Sequence, residues 1–289
     1  MNGPTHAVCY ADAAVQRAAS IECNERIAHD TYLLRVRAPD IARGIVPGQF
    51  VMMRLPGSDD PLLARPLALY DTVLSAEGAS VAIDVVYLVV GKLTSRLAQM
   101  PVGAALELWG PLGNGFTPAM AKHLVMVAGG IGQTPFLALA QEALGKKRYG
   151  EAGRVGASAS RVTLCYGARS ASYLAGIADF QALGVEVQIA TDDGTAGQKG
   201  FVTGLLPAVF DASPGCRVVC CGPERMMEKV AALALARDIP CEVSLETPMA
   251  CGIGICFSCV ARVDDGQGGW YYRRTCVEGP VFDARRIRW

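Results

Sequence analysis

Apolar and polar positions alternate over short stretches through the first part of the chain. The alternation starts at Ile21-Glu22-Cys23 and resumes over residues 31–37, 49–55, 67–71, 81–89 and 105–109, with Pro or Gly near most ends. Period-two runs bounded by turn residues predict short strands. Several in succession predict a closed barrel, here interrupted by one helical stretch over 93–100. From His123 the pattern changes. Residues 124–128 (Leu-Val-Met-Val-Ala) are apolar throughout, and 133–147 reads as a helix. Further apolar segments at 162–166, 185–190, 218–221 and 243–246 alternate with helical patterns near 173–183, 202–210 and 224–236. Wholly apolar strands alternating with helices predict a parallel sheet covered on both faces, with 243–246 as its last strand. Residues 151–160, rich in Gly, Ala and Ser, predict a surface loop. Beyond the sheet, 260–263 and 270–274 predict a hairpin around 264–269. The expected division is an N-terminal arm (1–19), a β-barrel (20–118), an α/β parallel-sheet domain (119–246) and a small C-terminal appendage (247–289).

Composition narrows the class. Hydrophobic residues make up 51% and charged residues 19% of 289, enough for sizeable cores. Basic and acidic residues balance at 27 each, and no long basic run exists, so nucleic acid is not an expected partner. Mean hydropathy is +0.27, yet no apolar run is long enough to predict a membrane-spanning helix. The Ala-rich opening carries charges and lacks an apolar stretch of signal-peptide type. Together with 11 cysteines this predicts a reducing, cytoplasmic setting. His6, His29 and His123 are scattered, which speaks against a histidine-based metal site.

Four of those cysteines carry the strongest chemical signal. Cys251, Cys256 and Cys259 read C-x4-C-x2-C, and Cys276 follows after sixteen residues. The spacing matches a plant-type [2Fe–2S] loop, in which four thiolates converge on a diiron rhomb. Gly252 and Gly254 suit a loop wrapped that tightly. Zinc knuckles space each Cys pair by two to four residues, whereas here the fourth Cys stands alone. Disulfides suit small secreted scaffolds.

Other motifs are weaker alone. Gly129-Gly130-Ile131-Gly132-Gln133-Thr134-Pro135 follows the first apolar strand and opens a helix. Such a turn lets a pyrophosphate approach the backbone at a helix N-terminus, the plainer alternative being a tight turn with no ligand. Arg65, in Arg65-Pro66-Leu67-Ala68, could hold a phosphate through its forked donors, although a surface arginine at a strand start reads the same way. Val86, Tyr87 and Leu88 lie on a strand where Tyr87 could stack on a planar ring, though most strand tyrosines simply pack. Leu93 and Thr94 open a helix. Cys221-Gly222-Pro223 ends a strand at the carboxyl edge of the predicted sheet. Asp192 and Asp193 after a strand hint at rejection of a 2′-phosphate, while Arg169 points the other way.

Taken in order, these motifs, with Gly110-Pro111-Leu112-Gly113-Asn114-Gly115-Phe116 and the tail Gly279-Pro280-Val281-Phe282-Asp283, resemble the ferredoxin–NADP reductase superfamily. Within it they resemble the electron-transfer subunits of B-type dihydroorotate dehydrogenases, over residues 20–289. The resemblance implies FAD on the barrel, lined by Arg65, Pro66, Leu67, Ala68, Val86, Tyr87 and Leu88, with Leu93 and Thr94 at the pyrophosphate. It implies NAD(H) at Gly129, Gly130 and Gly132, with Cys221 beside the nicotinamide, and a [2Fe–2S] cluster on Cys251, Cys256, Cys259 and Cys276. Ala68 stands where the family usually has Ser, and Leu93 where it usually has Gly. The segment from Cys241 to Trp289 is too short for the β-grasp ferredoxin domain of oxygenase reductases. The implied protein is an iron–sulfur flavoprotein oxidoreductase with no acid–base residue of its own. It would pass electrons from an FMN-containing dihydroorotate dehydrogenase partner, in a heterotetramer, to NAD+ in pyrimidine biosynthesis. The rival readings are a reductase subunit of a hydrogenase, sulfide or ferredoxin-linked complex, a cluster-bearing redox sensor, and a zinc-stabilised NAD-binding module.

Overall fold

The computed structural model describes residues 10–118, 121–150, 154 and 159–289. The first part is a six-stranded antiparallel barrel. Its strands are β1 (Val15–Ala28), β2 (Thr31–Arg37), β3 (Phe50–Arg54), β4 (Arg65–Leu74), β5 (Ser80–Leu88) and β6 (Ala105–Leu112), closed in the order β1-β2-β5-β4-β3-β6. Helix α1 (Pro39–Gly44) covers one end, and α2 (Lys92–Leu97) lies between β5 and β6. The expected arm through residue 19 is shorter than its composition suggested. Val15 to Ser20 already pair with Gly110 to Ala105 of β6, because a closed barrel uses every backbone donor its first strand can offer. The barrel core includes Leu34, Val36, Ile83, Val85, Leu106 and Leu108, all inward positions of the alternation.

The second part is a seven-stranded sheet. It contains β7 (His123–Gly129), β8 (Arg161–Ala168), β9 (Glu186–Thr191), β10 (Gln198–Lys199), β11 (Arg217–Cys221) and β12 (Cys241–Ser244), with α3 (Phe136–Ala143), α4 (Ile177–Ala182), α5 (Leu206–Asp211) and α6 (Glu224–Leu235) packed on it. The strand order is β10-β9-β8-β7-β11-β12, and all these pairs are parallel. Successive residues of β7 face opposite sides. Leu124, Met126 and Ala128 pack against α3 and α4, while Val125 and Val127 pack against α5 and α6. Burial on both faces is why this strand reads as one apolar run.

Two expectations are corrected here, and one cannot be followed. The helix expected over 133–147 is shorter. A 3₁₀ turn, Gly130–Gln133, precedes Pro135, and Gly145 stops the helix with φ +66°. Residues 243–246 are not the sheet's last strand. After the hairpin β13 (Val260–Asp264) and β14 (Trp270–Arg274), the chain returns as β15 (Val281–Asp283), which pairs antiparallel with β12 at the edge. Finally, the loop expected over 151–160 falls mostly outside the described residues.

Barrel and sheet are locked by a polar seam. Tyr70 of β4 donates to Asp179 of α4 at 2.6 Å, and Lys147 and Tyr149 both reach Asp71 at 2.6 Å. The lock leaves two cavities along the junction, at the carboxyl edge of the sheet.

Candidate functional site

The strand order reverses between β7 and β11, each flanked on its far side by a later strand. Open α/β sheets bind ligands at such a point, beyond the strand carboxyl ends. The two turns there cross at backbone contact. A Cβ on Gly132 would lie 2.3 Å from the Cys221 carbonyl oxygen, and one on Gly222 would lie 2.9 Å from Gly129. Only glycine permits this crossing, which opens a cavity of about 1000 Å³ above the turn. Gly129, Gly130, Arg169, Asp192, Arg225 and Lys229 are among its lining residues. Asp193 turns away and binds the Thr195 amide and hydroxyl at 2.9 and 2.7 Å.

A second cavity, of about 870 Å³, lies between barrel, sheet and C-terminal segment. Arg65, Pro66, Leu67, Ala68, Val86, Tyr87 and Leu88 line one wall, and Gly132 and Cys221 line another. The Arg65 guanidinium is exposed and hydrogen-bonds only the carbonyls of Leu63 and Ala64, at 3.1 and 3.0 Å. A cavity of this size, lined mostly by apolar residues with one forked cation at its rim, fits a flavin and its phosphate. Burial pushes the Cys221 thiol up, well out of the range of a free cysteine.

Leu93 and Thr94 do not meet the cavities, and Tyr87 borders one without offering its ring. The Tyr87 ring packs in the barrel core, stacked 5.6 Å from Tyr32, and its hydroxyl donates to Asn24 at 3.0 Å. It is therefore not available as a stacking ring. Leu93 also turns into the barrel core. The Thr94 hydroxyl is taken by the Val90 and Gly91 amides at 3.0 and 3.1 Å, so it caps its own helix. Neither Leu93 nor Thr94 lines either cavity.

The cysteine loop forms the third wall of the second cavity through Met249, Ala250 and Ser258. It is seated on the barrel. The Trp109 indole donates to the Cys251 carbonyl at 3.0 Å, and Gly252 (φ +74°) lies against Met52 and Leu112. The hairpin brings in the fourth cysteine. The Thr275 amide and hydroxyl both donate to the Cys259 carbonyl, at 2.8 and 2.9 Å, which sets the Cys259 and Cys276 sulfurs 3.2 Å apart. Cys251 is in turn the hydrogen-bonding neighbour of Cys256. The Ser258 hydroxyl pulls Cys256 down to about 6, and Cys276 does the same to Cys259. Cys276 is raised by Cys259 in return.

Among the described residues no three of His, Cys, Asp or Glu converge as a single-ion site. The structure instead pairs Cys259 with Cys276 and Cys256 with Cys251, and two thiolates per iron is the ligand set of a [2Fe–2S] centre. Arg273 and Arg274 precede Cys276 on the hairpin. Both bind Glu278, at 3.1 and 3.2 Å, and Arg274 also reaches the Gly254 carbonyl at 3.1 Å, holding the loop in place.

With this geometry in view, three family models match the chain in order. They are an oxidoreductase FAD-binding domain over 18–116, an oxidoreductase NAD-binding domain over 126–232, and the iron–sulfur cluster binding domain of dihydroorotate dehydrogenase B over 246–288. The dihydroorotate dehydrogenase B (NAD(+)) electron transfer subunit of Desulforamulus reducens is 37% identical over 264 residues, 91% of this chain and 94% of that protein. The chain belongs to that family. The electron transfer subunit from Caldanaerobacter subterraneus is 31% identical over 93% of this chain and 97% of its own length. Among solved structures, one of the NADH-dependent reduced ferredoxin-NADP oxidoreductase superposes with a TM-score of 0.77 at 28% identity, covering 94% of this chain and 90% of that one. A ferredoxin reductase of carbazole 1,9a-dioxygenase, at 20% identity and TM-score 0.64, shares the fold over 78% of this chain. As a member of the electron transfer subunit family, the chain is an oxidoreductase that uses FAD, NAD and an iron–sulfur cluster. No helix among the described residues is long and apolar enough to cross a membrane.

Sequence reasoning missed several residues of the site. Trp109 and Ser258 hold the cluster loop, and Glu246 lies where the two cavities meet. Glu246 could have been found, since it directly precedes the cysteine loop at the carboxyl edge of the last parallel strand. Gln133 is fully buried inside the glycine turn, and both ends of its amide lack a protein partner.

Proposed function

We propose that this chain is the electron transfer subunit of an NAD+-linked dihydroorotate dehydrogenase, joining a partner's flavin to NAD+ in pyrimidine biosynthesis. One observation carries the reading. The cysteine loop has two faces, one lining the second cavity and one open to solvent. On the inner face, Met249, Ala250 and Ser258 border the cavity. On the outer face, Ile253, Ile255 and Phe257 are 40%, 74% and 62% exposed. Leu62 is 68% exposed on the loop leading to Ala64, which packs with Cys259 and Cys276. An apolar collar around a one-electron centre supports docking of a second redox protein there.

When bound, a flavin exchanges hydride with nicotinamide and single electrons with an iron–sulfur cluster; this chemistry belongs to the cofactors. The chain supplies position and charge. Arg65 would take the flavin phosphate, and the barrel strands would hold the ring against Gly132 and Cys221. Gly129 and Gly130 would admit the dinucleotide pyrophosphate. Cys251 with Cys256, and Cys259 with Cys276, would hold the two irons. The buried seam around Tyr70, Asp71 and Lys147 keeps both cavities in register. The partner would be an FMN-containing dehydrogenase in a heterotetramer, and the thiol-rich composition supports a cytoplasmic setting.

Isolation of the chain with its partner from the native host tests this. NAD+ should be reduced when dihydroorotate is added. A complex that contains flavin and iron but reduces no NAD+ with dihydroorotate removes the pyrimidine assignment. The superposition on the ferredoxin-NADP oxidoreductase favours one alternative, a subunit exchanging electrons with ferredoxin. Ferredoxin-dependent NAD+ reduction without a dihydroorotate-oxidising partner would select it.

A further inference from the structure

Four residues line both cavities: Leu88, Val90, Ile131 and Glu246. Three are apolar, and Glu246 alone is charged. It leaves the carboxyl end of β12 two residues after Ser244 and sits electrostatically against Cys221. Four cations line the cavities, Arg65, Arg169, Arg225 and Lys229, and Glu246 forms an ion pair with none of them. Its carboxyl is raised, and burial is the only cause. The surrounding cavity walls cause this, although the residue itself is exposed to the cavity solvent. A cavity carboxyl with no ion-pair partner leaves its charge free to attract a cation that enters beside it.

A cation does arrive in the proposed reaction. Hydride transfer requires the nicotinamide and flavin rings to touch, at a separation of roughly 3–3.5 Å. Among the described residues the two cavities share the wall formed by Leu88, Val90, Ile131 and Glu246. The oxidised nicotinamide ring bears a positive charge, and the reduced ring is neutral. We propose that Glu246 is a specificity residue that makes the nucleotide cavity select oxidised over reduced nicotinamide by charge, favouring entry of NAD+ and release of NADH. This rests on the assignment of that cavity to NAD. It concerns the redox state of the nucleotide rather than its 2′-phosphate, which the far end of the cavity near Arg169 and Asp192 would read.

The test is equilibrium binding to the flavin-loaded, oxidised protein at mildly alkaline pH. Three probes are compared: NAD+, the unreactive neutral-ring analogue 1,4,5,6-tetrahydro-NAD, and ADP-ribose, which lacks the ring. Glu246→Gln should weaken NAD+ about tenfold, the size of one charge contact at intermediate dielectric. It should leave the neutral analogue and ADP-ribose within about twofold, and Glu246→Asp should restore most of the preference for NAD+. Equal weakening of NAD+ and the neutral analogue, or no change in either, overturns the inference. Failure of ADP-ribose to bind the unmodified protein overturns the nucleotide assignment, and the inference with it.

Discussion

Replacing Gly252 by Ala should strip the cluster from this protein while leaving its flavin in place. Gly252 follows the first cluster cysteine and adopts φ +74°, a conformation that costs a non-glycine residue about 1–2 kcal/mol. A Cβ there would lie 2.4 Å from the Met52 Cγ and 3.1 Å from Leu112. Both neighbours are fully buried in the layer that also holds Cys259 and Cys276, so neither can swing into solvent. Overpacking of this kind costs about 1–3 kcal/mol. The loop would thus be lifted from the barrel by about 2–5 kcal/mol, and the Trp109 bond to the Cys251 carbonyl would stretch with it. The assay is iron and acid-labile sulfide per flavin, with the visible spectrum of the purified protein. Iron should fall several-fold relative to FAD, whereas Gly57→Ala, a positive-φ glycine with open space around it, should keep full iron. A Gly252→Ala protein with native iron and an unchanged melting temperature would refute this account of how the loop is seated.

Other outcomes follow from the same geometry. Arg65→Ala should leave the fold intact, because the side chain is exposed and bonds only neighbouring carbonyls, but should weaken FAD retention by about 1.5–3 kcal/mol, measured by flavin release on dilution. Ile255→Asp with Phe257→Asp should abolish co-purification of the partner without lowering iron or flavin content; an intact complex would show that the collar is not the docking face. Gln133→Met should raise the melting temperature of the cofactor-free protein, since it removes two buried polar groups without partners, each costing about 1–3 kcal/mol; a lower melting temperature counts against this. Burial lowers the pKa of His123, so the fold favours its neutral ring. The unfolded chain takes up that proton more readily, so this stability is fully present above the ordinary imidazole range and is lost as pH falls through it toward the lowered value. His123→Gln should flatten that part of a melting-temperature-versus-pH curve, and an unchanged slope would assign the loss to other groups.

Much of this protein is visible in local pattern. Strand alternation places Leu34, Val36, Ile83 and Val85 inside a barrel, and the unbroken apolar run 124–128 marks a strand buried on both faces. Cysteine spacing identifies the cluster ligands, because a loop that wraps a small rhomb limits how far apart its thiolates can be in sequence. These features depend on neighbours along the chain, and a sequence displays such neighbours directly.

What remained hidden depends on contacts between distant segments. Nothing local to Val15–Ser20 shows that a strand begins there, since the pairing partner lies at Ala105–Gly110. The three-residue β15 is too short to carry a pattern, and becomes a strand only because β12 offers it an unpaired edge. Tyr87 and Thr94 read as ligand contacts by position, yet the fold spends the ring on the barrel core and the hydroxyl on a helix cap. Glu246 gains its place only when barrel, sheet and cysteine loop close around it. The sequence determined which elements form and which cofactors the chain can hold. Tertiary structure decided which side chains face those cofactors, because a side chain's direction follows from what packs against its other side.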